Sequence, residues 1–503
     1  MAKSRQKITL RTDVDRRSQS RDDSPARGSR AMNGRLCALA AAVLAGGCSA
    51  LGGLSGGSDA AAAQVSAAAP PGDPRTPQPF MNVAHPEWAR DAVLYQINTR
   101  QFTPEGTFRA AQKELPRLRA LGVDILWLMP VHPIGEKNRK GGLGSPYSVK
   151  DYYGVNPEFG TLEDLKAFVD AAHAEGMHVI LDWVANHTAW DNALASEHPD
   201  WYERDWKGDN RPTPWWDWSD IIDLDFSQPG VRAYMADAMK YWVRDIGVDG
   251  FRCDVAAYVP LDFWNGVRAE LDAIKPVFML GEANMRDMHM RAFNASYAWN
   301  WNNALHDITH GKSNTGALYG YYSENESAWP VEAMRMTYTE NHDQNAWEGT
   351  TFERFGKGVE AAIALSFLGE GIPLIHNGQE AGNEDRLEFF EKDPIRWRSH
   401  RFEGLFRKLI AFRDAHPSLH NMPWGGRMVG VANTSPQQVF SYQRKKDGDE
   451  VFVVINFSDK TQTVSFPETQ AHGAYRDIDG KAVTIDASTR MKIEPWSWRA
   501  MAK

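Results

Sequence analysis

The feature that most constrains this chain is a repeat of two unlike segments. Short, nearly continuous apolar runs recur at residues 92–98, 125–129, 178–182, 250–254, 277–282, 334–339 and 373–375. Amphipathic stretches at 108–120, 162–175, 230–244, 261–274 and 359–368 separate most of them. A strand apolar on both faces is buried on both faces, and parallel strands need a crossover, usually a helix. Repeated strand–helix units therefore predict a parallel sheet covered by helices. About eight such units over ~330 residues fit a closed (β/α)8 barrel better than an open sheet. The helix at 162–175 carries a start signal, with Thr161 as N-cap and Asp164 three residues on. A last helix is expected over 402–415.

Two regions break the rhythm. Between the third strand and the helix at 230–244 lie ~45 residues without periodicity, a length that in a compact domain is usually functional. They carry Trp190, Trp201, Trp206, Trp215, Trp216 and Trp218. Residues 186–229 thus read as a small domain inserted at the mouth of a barrel spanning 85–424. From about residue 425 the pattern turns to short alternating strands (427–431, 439–444, 451–457, 463–466, 491–493) with turns at Asp447-Gly448 and Asp479-Gly480. That is an antiparallel β-domain over 425–503.

The first 84 residues are of another kind. Residues 1–31 are polar and Arg-rich, a composition that builds no core. Met32-Asn33-Gly34-Arg35, an apolar run over 36–45 and Gly46-Gly47-Cys48 then follow the order of a signal peptide. The run is too short to span a bilayer. Leu44-Ala45-Gly46-Gly47-Cys48 resembles a bacterial lipoprotein signal, with Ala45 where Leu is usual. The expectation is translation from Met32, export, and a lipid anchor at Cys48 in the periplasm or outer membrane, with plain secretion as the alternative. Cleavage before Cys48 removes Cys37 and, with Cys48 lipidated, leaves Cys253 without an intrachain disulfide partner. Residues 49–84 are rich in Gly, Ala, Ser and Pro and read as a tether. The formal charge of -9 argues against a general nucleic-acid binder. The 19 Trp suit a sugar cleft, where flat rings stack on pyranose faces and the indole N–H donates.

In a barrel, catalytic residues stand at the C-terminal ends of strands. The third strand ends in Asp182-Trp183-Val184-Ala185-Asn186-His187, the fourth in Arg252-Cys253-Asp254, the fifth in Gly281-Glu282 and the seventh in Asn341-His342-Asp343. Side chains alternate along a strand, so Arg252 and Asp254 face one way and Cys253 the other. An arginine beside a carboxylate keeps it ionised, as a nucleophilic carboxylate must be. One ion pair at a strand end is ordinarily structural. Four acid-bearing strand ends converging on one mouth are not, and crowded carboxylates require at least one to be protonated at neutral pH. An ionised nucleophile beside a protonated acid is the equipment of glycoside hydrolysis.

The blocks Asp182-x-x-x-Asn186-His187, Gly247-x-Asp249-Gly250-Phe251-Arg252-x-Asp254, Gly281-Glu282 and Asn341-His342-Asp343, in this order, resemble those of the α-amylase family (glycoside hydrolase family 13). The resemblance runs from about Trp88 to the end of the chain. It implies a (β/α)8 barrel with an inserted domain B and a C-terminal β-sandwich. It implies Asp254 as nucleophile, Glu282 as general acid and then base, and Asp343 as a third carboxylate on the ring hydroxyls. Arg252, His187 and His342 would orient the nucleophile and the sugar, with Asp182 in the same substrate-binding set. Tyr147, in Ser145-Pro146-Tyr147, would stack on the sugar being cleaved. Arg252 is expected to hold Asp254 ionised, and Asp254 and Asp343 to raise the pKa of Glu282. A retaining mechanism would place the Asp254 and Glu282 carboxyls about 5–5.5 Å apart.

Asn186 and Asp223 stand where the family's calcium ligands fall, so a structural Ca2+ is the one cofactor the resemblance brings; the chemistry itself requires none. Two departures bear on specificity. Ala257 and Tyr258 replace the Lys-His pair of calcium-dependent endo-amylases, and Thr103-Pro104-Glu105-Gly106-Thr107 replaces the Gly-Asp-Gly-rich loop of oligo-α-glucosidases. The expected substrate is an α-1,4-glucan or maltooligosaccharide. The alternatives are a transglycosylase of the same family, an exo-acting oligosaccharide α-glucosidase, and a non-catalytic glycan-binding relative, against which the full acid set argues.

Overall fold

The computed structural model describes residues 80–503. The leader, Cys48 and residues 49–79 of the tether lie outside them. Eight parallel strands close into a barrel: β1 Leu94–Ile97, β2 Ile125–Leu128, β3 His178–Trp183, β4 Gly250–Cys253, β5 Phe278–Gly281, β6 Ala295–Tyr297, β7 Met334–Tyr338 and β8 Ile372–His376. Each pairs with the next, and β8 returns to β1 through Leu374 opposite Leu94. The sequence reading finds seven of these strands and misses β6. Three residues give no run long enough to show a period, and Ser296 interrupts even those.

Alternation along the strands builds two cores. Leu94, Trp127, Ile180, Leu280, Tyr297, Met336 and Leu374 fill the barrel interior. Tyr95, Leu126, Val179, Phe251, Cys253 and Met279 face the surrounding helices. Cys253 is fully buried in that outer layer, as its position opposite Arg252 requires. Gly250 opens β4 because nothing larger fits: a Cβ there would meet the Phe278 carbonyl oxygen at 1.9 Å, at a φ of +149°.

The helix Leu162–Ala174 starts with a full capping box, Thr161 Oγ1 accepting from the Asp164 N–H and the Asp164 carboxylate accepting from the Thr161 N–H. The single helix expected over 108–120 is two, Phe108–Gln112 and Leu115–Leu121, because Pro116 restarts the helix at its first turn. In the insertion, His187–Ala189 pairs antiparallel with Ile221–Asp223. After the barrel, a six-stranded antiparallel sheet (Met428–Gly430, Val439–Lys446, Asp449–Asn456, Gly473–Asp477, Ala482–Ile485 and Trp498–Ala502) packs with a two-stranded sheet of Gln462–Val464 and Met491–Ile493. Val454, Phe452 and Met501 of the large sheet meet Val464 and Ile493 of the small one in a common core.

Candidate active site

The carboxylates at the C-terminal ends of β3, β4 and β5 meet on one arginine. Arg252 is wholly buried, and its Nη1 donates to Asp182 Oδ1 at 2.9 Å and to Asp254 Oδ1 at 3.0 Å. Its Nη2 lies 3.1 Å from Glu282 Oε1, and its Nε donates to the Tyr297 hydroxyl at 3.1 Å. The second Glu282 oxygen accepts from the Val255 N–H at 2.7 Å. Val255 holds a left-handed backbone, φ +34°, a conformation that a β-branched residue adopts only under constraint from its surroundings. That turn aims its N–H back at β5.

One guanidinium shared by three acids divides the support that Arg252 was expected to give Asp254 alone. Burial pushes the Asp254 carboxyl well above the usual range, the neighbouring Glu282 adds to it, and the pull of Arg252 does not offset them. Burial likewise lifts Asp182, to about 6, against Arg252 and the donors Tyr147 and Trp127.

His342 is fixed in one tautomer. The Gln96 carbonyl oxygen accepts from the His342 backbone N–H (3.2 Å), so the Gln96 amide nitrogen is the group facing His342 Nδ1 at 2.7 Å. Nδ1 accepts, and the ring proton sits on Nε2, which meets the Tyr147 hydroxyl at 2.7 Å; that hydroxyl donates to Asp182 Oδ2 at 2.9 Å. Trp127 Nε1 donates to the same Asp182 oxygen at 3.0 Å. Burial first, then the Arg252 charge, hold His342 well below its usual pKa and thus neutral. Burial lowers His187 to about 4. Its Nδ1 faces the Asn186 amide at 3.2 Å, and its buried Nε2 has no partner.

These groups floor a cavity of about 860 Å³. Tyr147, Trp218, Trp299, Trp347 and Phe389 line it, with Asp343 at its rim, side chain 42% exposed and 3.4 Å from His342 Nε2. Burial raises the Asp343 pKa in direction, and its open face lets water moderate that pressure. The Tyr147, His342 and Phe389 rings cluster in a triangle with their planes nearly parallel, at 5.5, 6.2 and 6.3 Å between centroids. Of the six insertion tryptophans only Trp216 and Trp218 reach the cavity; Trp206 and Trp215 point to solvent.

Asp182, Arg252, Asp254, Glu282, Asp343, His187, His342 and Tyr147 thus come together. Gln96, Trp127 and Tyr297, which hold them, were not read from the sequence. Each sits inward on a strand, and only a polar or oversized residue in an apolar run could have signalled it. Asn186 and Asp223 meet beside His187, at the end of the insertion's two-stranded sheet. The Asn186 amide donates to Asp223 Oδ1 at 3.0 Å, and Thr213 Oγ1 donates to the same oxygen. The pair can offer a hard cation one carboxylate and one amide oxygen, so a calcium ion there would need its remaining ligands from neighbouring carbonyls and water.

Residues 76–436 match the family described as alpha amylase, catalytic domain. The chain belongs to the α-amylase family. It is 31% identical over 435 residues to the α-amylase MalA of Haloarcula japonica, covering 80% of this chain and 62% of that protein, so it spans just over three fifths of this relative's length. Among solved structures it resembles a noncanonic maltogenic α-amylase, AmyB, of Thermotoga neapolitana (30% identity, TM-score 0.75, 82% of this chain and 98% of that one). An α-amylase of Lactobacillus plantarum is similar at 29% identity and a TM-score of 0.74, over 83% of this chain and 99% of its own.

Proposed function

We propose that this protein is a retaining glycosidase that hydrolyses α-1,4-glucosidic bonds in starch, glycogen or maltooligosaccharides. The observation that carries the reading is the placement of Asp254 and Glu282 on one guanidinium at the floor of an aromatic cavity. Asp254 Oδ1 is taken by Arg252, which leaves Oδ2 to attack the anomeric carbon. Glu282 gives a proton to the departing glycosidic oxygen while Asp254 attacks as the carboxylate. Glu282 then takes a proton from water, which displaces Asp254 and restores the α configuration. The unpartnered His187 Nε2 donates to a sugar hydroxyl, and Asp343 accepts from the ring hydroxyls at the rim. Tyr147 supplies a flat wall beside the sugar.

A second reading is transfer to an acceptor sugar in place of water. It draws on Ala257, Tyr258 and Trp216, three uncharged residues of the cavity lining, two of them aromatic. It also draws on similarity to an α-1,4-glucan:maltose-1-phosphate maltosyltransferase of Rhodospirillum rubrum, 30% identical over 427 residues, 76% of this chain and 59% of that protein. Export with a lipid anchor at Cys48 is the matching placement for an enzyme that meets polymeric glucan outside the cell. The test is maltoheptaose followed by proton NMR from the first turnover. Retention releases the new reducing end as the α anomer before mutarotation; β product would exclude the mechanism. Oligomers longer than seven sugars would select the transferase reading.

A further inference from the structure

The opposite end of the barrel carries a cluster that the proposed chemistry leaves unused. His173 lies in the last turn of the helix Leu162–Ala174, His178 is the first residue of β3, and Asp249 immediately precedes β4. One ligand atom from each lies within 4.8 Å of the other two, and among the described residues no other trio of His, Cys, Asp or Glu does so. His173 Nε2 is 2.7 Å and His178 Nδ1 3.6 Å from Asp249 Oδ2. His178 Nδ1 is buried with no hydrogen-bond partner, although its ring is fixed flat on Trp88 at 3.9 Å and 14°. A ring nitrogen buried, immobilised and unsatisfied is a group waiting for a partner.

We propose that His173, His178 and Asp249 form a binding site for a divalent cation of the zinc class, with water completing a four-coordinate shell. Two imidazoles and one carboxylate are a donor set that Zn2+ takes. The ligand atoms need to spread by a few tenths of an ångström from their hydrogen-bonded spacing, and His173, its side chain 34% exposed, gives both the freedom and the route in. The carboxylate is already oriented: the Val179 N–H donates to Asp249 Oδ2 at 2.8 Å and Lys275 Nζ to Oδ1 at 2.8 Å. Lys275 also opposes a second cation. It is anchored on the Gly247 carbonyl at 2.7 Å and cannot simply leave. The site is therefore micromolar in character, and its consequence is mechanical. A bound ion ties a helix end to the starts of β3 and β4, the barrel face where side chains serve stability and not catalysis.

The experiment is competitive titration of the metal-free, untagged full chain with Zn2+ against a chromophoric chelator, with thermal unfolding alongside. One equivalent is expected to bind with a Kd at or below about 10 μM, and about 100 μM Zn2+ to raise the unfolding midpoint by roughly 1–2 °C. His173→Ala, at the exposed ligand, should weaken binding at least about ten-fold with the circular dichroism of the parent, and His178→Gln should do the same. Lys275→Met should tighten it. Absence of saturable binding below about 100 μM, or unchanged binding in both histidine variants, overturns the proposal and leaves the trio as hydrogen-bond partners of Asp249 only. Hydrolysis by the zinc-free protein is measured separately, so failure of either reading is distinguishable.

Discussion

Asp249 and Asp254 flank the same four-residue strand and are equally buried, 6% and 7% exposed, yet they sit in opposite electrostatic states. At the barrel floor, burial raises the Asp249 pKa, but the His173 hydrogen bond, the nearby His178 ring and the Lys275 charge outweigh it and hold the carboxyl far below the usual range. At the mouth, burial and Glu282 lift Asp254, and its one arginine is divided among three acids. Burial sets the size of the penalty in both places; the ratio of donors to acids sets its sign. At the floor the donors outnumber the one acid, and the carboxylate serves the fold. The mouth is left unfinished, and that is where chemistry has a proton to move.

The sharpest way to break this contrast is to neutralise each acid in turn. Asp254→Asn should lower kcat on maltoheptaose by about 10⁴-fold or more, since the proposed mechanism gives the attack to Asp254 alone. It should leave the chain as stable or more so, because a buried carboxyl short of donors becomes an amide. Full retention of kcat would end the nucleophile assignment. Asp249→Asn should do the reverse. Removing a buried charge held by a lysine and two histidines is expected to destabilise by about 3–5 kcal/mol in urea unfolding, with kcat of the folded fraction nearly unchanged. The pH dependence follows from the sign of the shift. A depressed folded pKa means that the Asp249 contribution is complete above the unfolded value, about 4, and is lost as pH falls from there toward the folded value. The gap between parent and Asp249→Asn should therefore be flat from pH 8 to 5 and close only in acid. A gap that grows on acidification would contradict the floor's assignment.

The same contrast marks what could be read from the chain alone. The acids and the arginine of the mouth stand in ordered blocks at strand ends, and the barrel's period announces where strand ends are, so both are legible locally. What holds them is not. Gln96 fixes His342 across 246 residues of sequence, and Tyr297 meets Arg252 from β6, a strand too short to show a period. The division of Arg252 among three acids is equally silent, because two residues on one strand cannot reveal that β3 and β5 bring acids to the same guanidinium. The upward pressure on Asp254 was therefore not foreseeable from Arg252 alone. Asn186 and Asp223 do come together, with Thr213 donating to the same Asp223 oxygen, a third residue that the spacing of the pair gave no reason to name.

The smallest expected effect tests whether charge alone distinguishes the mouth. Tyr258 follows Asp254 by four positions and accepts a 2.9 Å hydrogen bond from Trp216 Nε1 of the insertion, and both side chains line the cavity half-exposed. This bridge spans the far side of Asp254 without carrying charge. Tyr258→Phe keeps the ring and removes the bond, a loss of about 0.5–1.5 kcal/mol. The expected result is a two- to ten-fold fall in kcat/KM for short maltooligosaccharides, together with a changed ratio of transfer to hydrolysis at high acceptor concentration. The pH–rate profile should not move, because the proton that matters belongs to the acids around Arg252. A profile displaced by half a unit or more in Tyr258→Phe would mean that the acceptor wall also sets the charge of the cluster, and the division between a titrating floor of the cavity and a neutral wall would have to be redrawn.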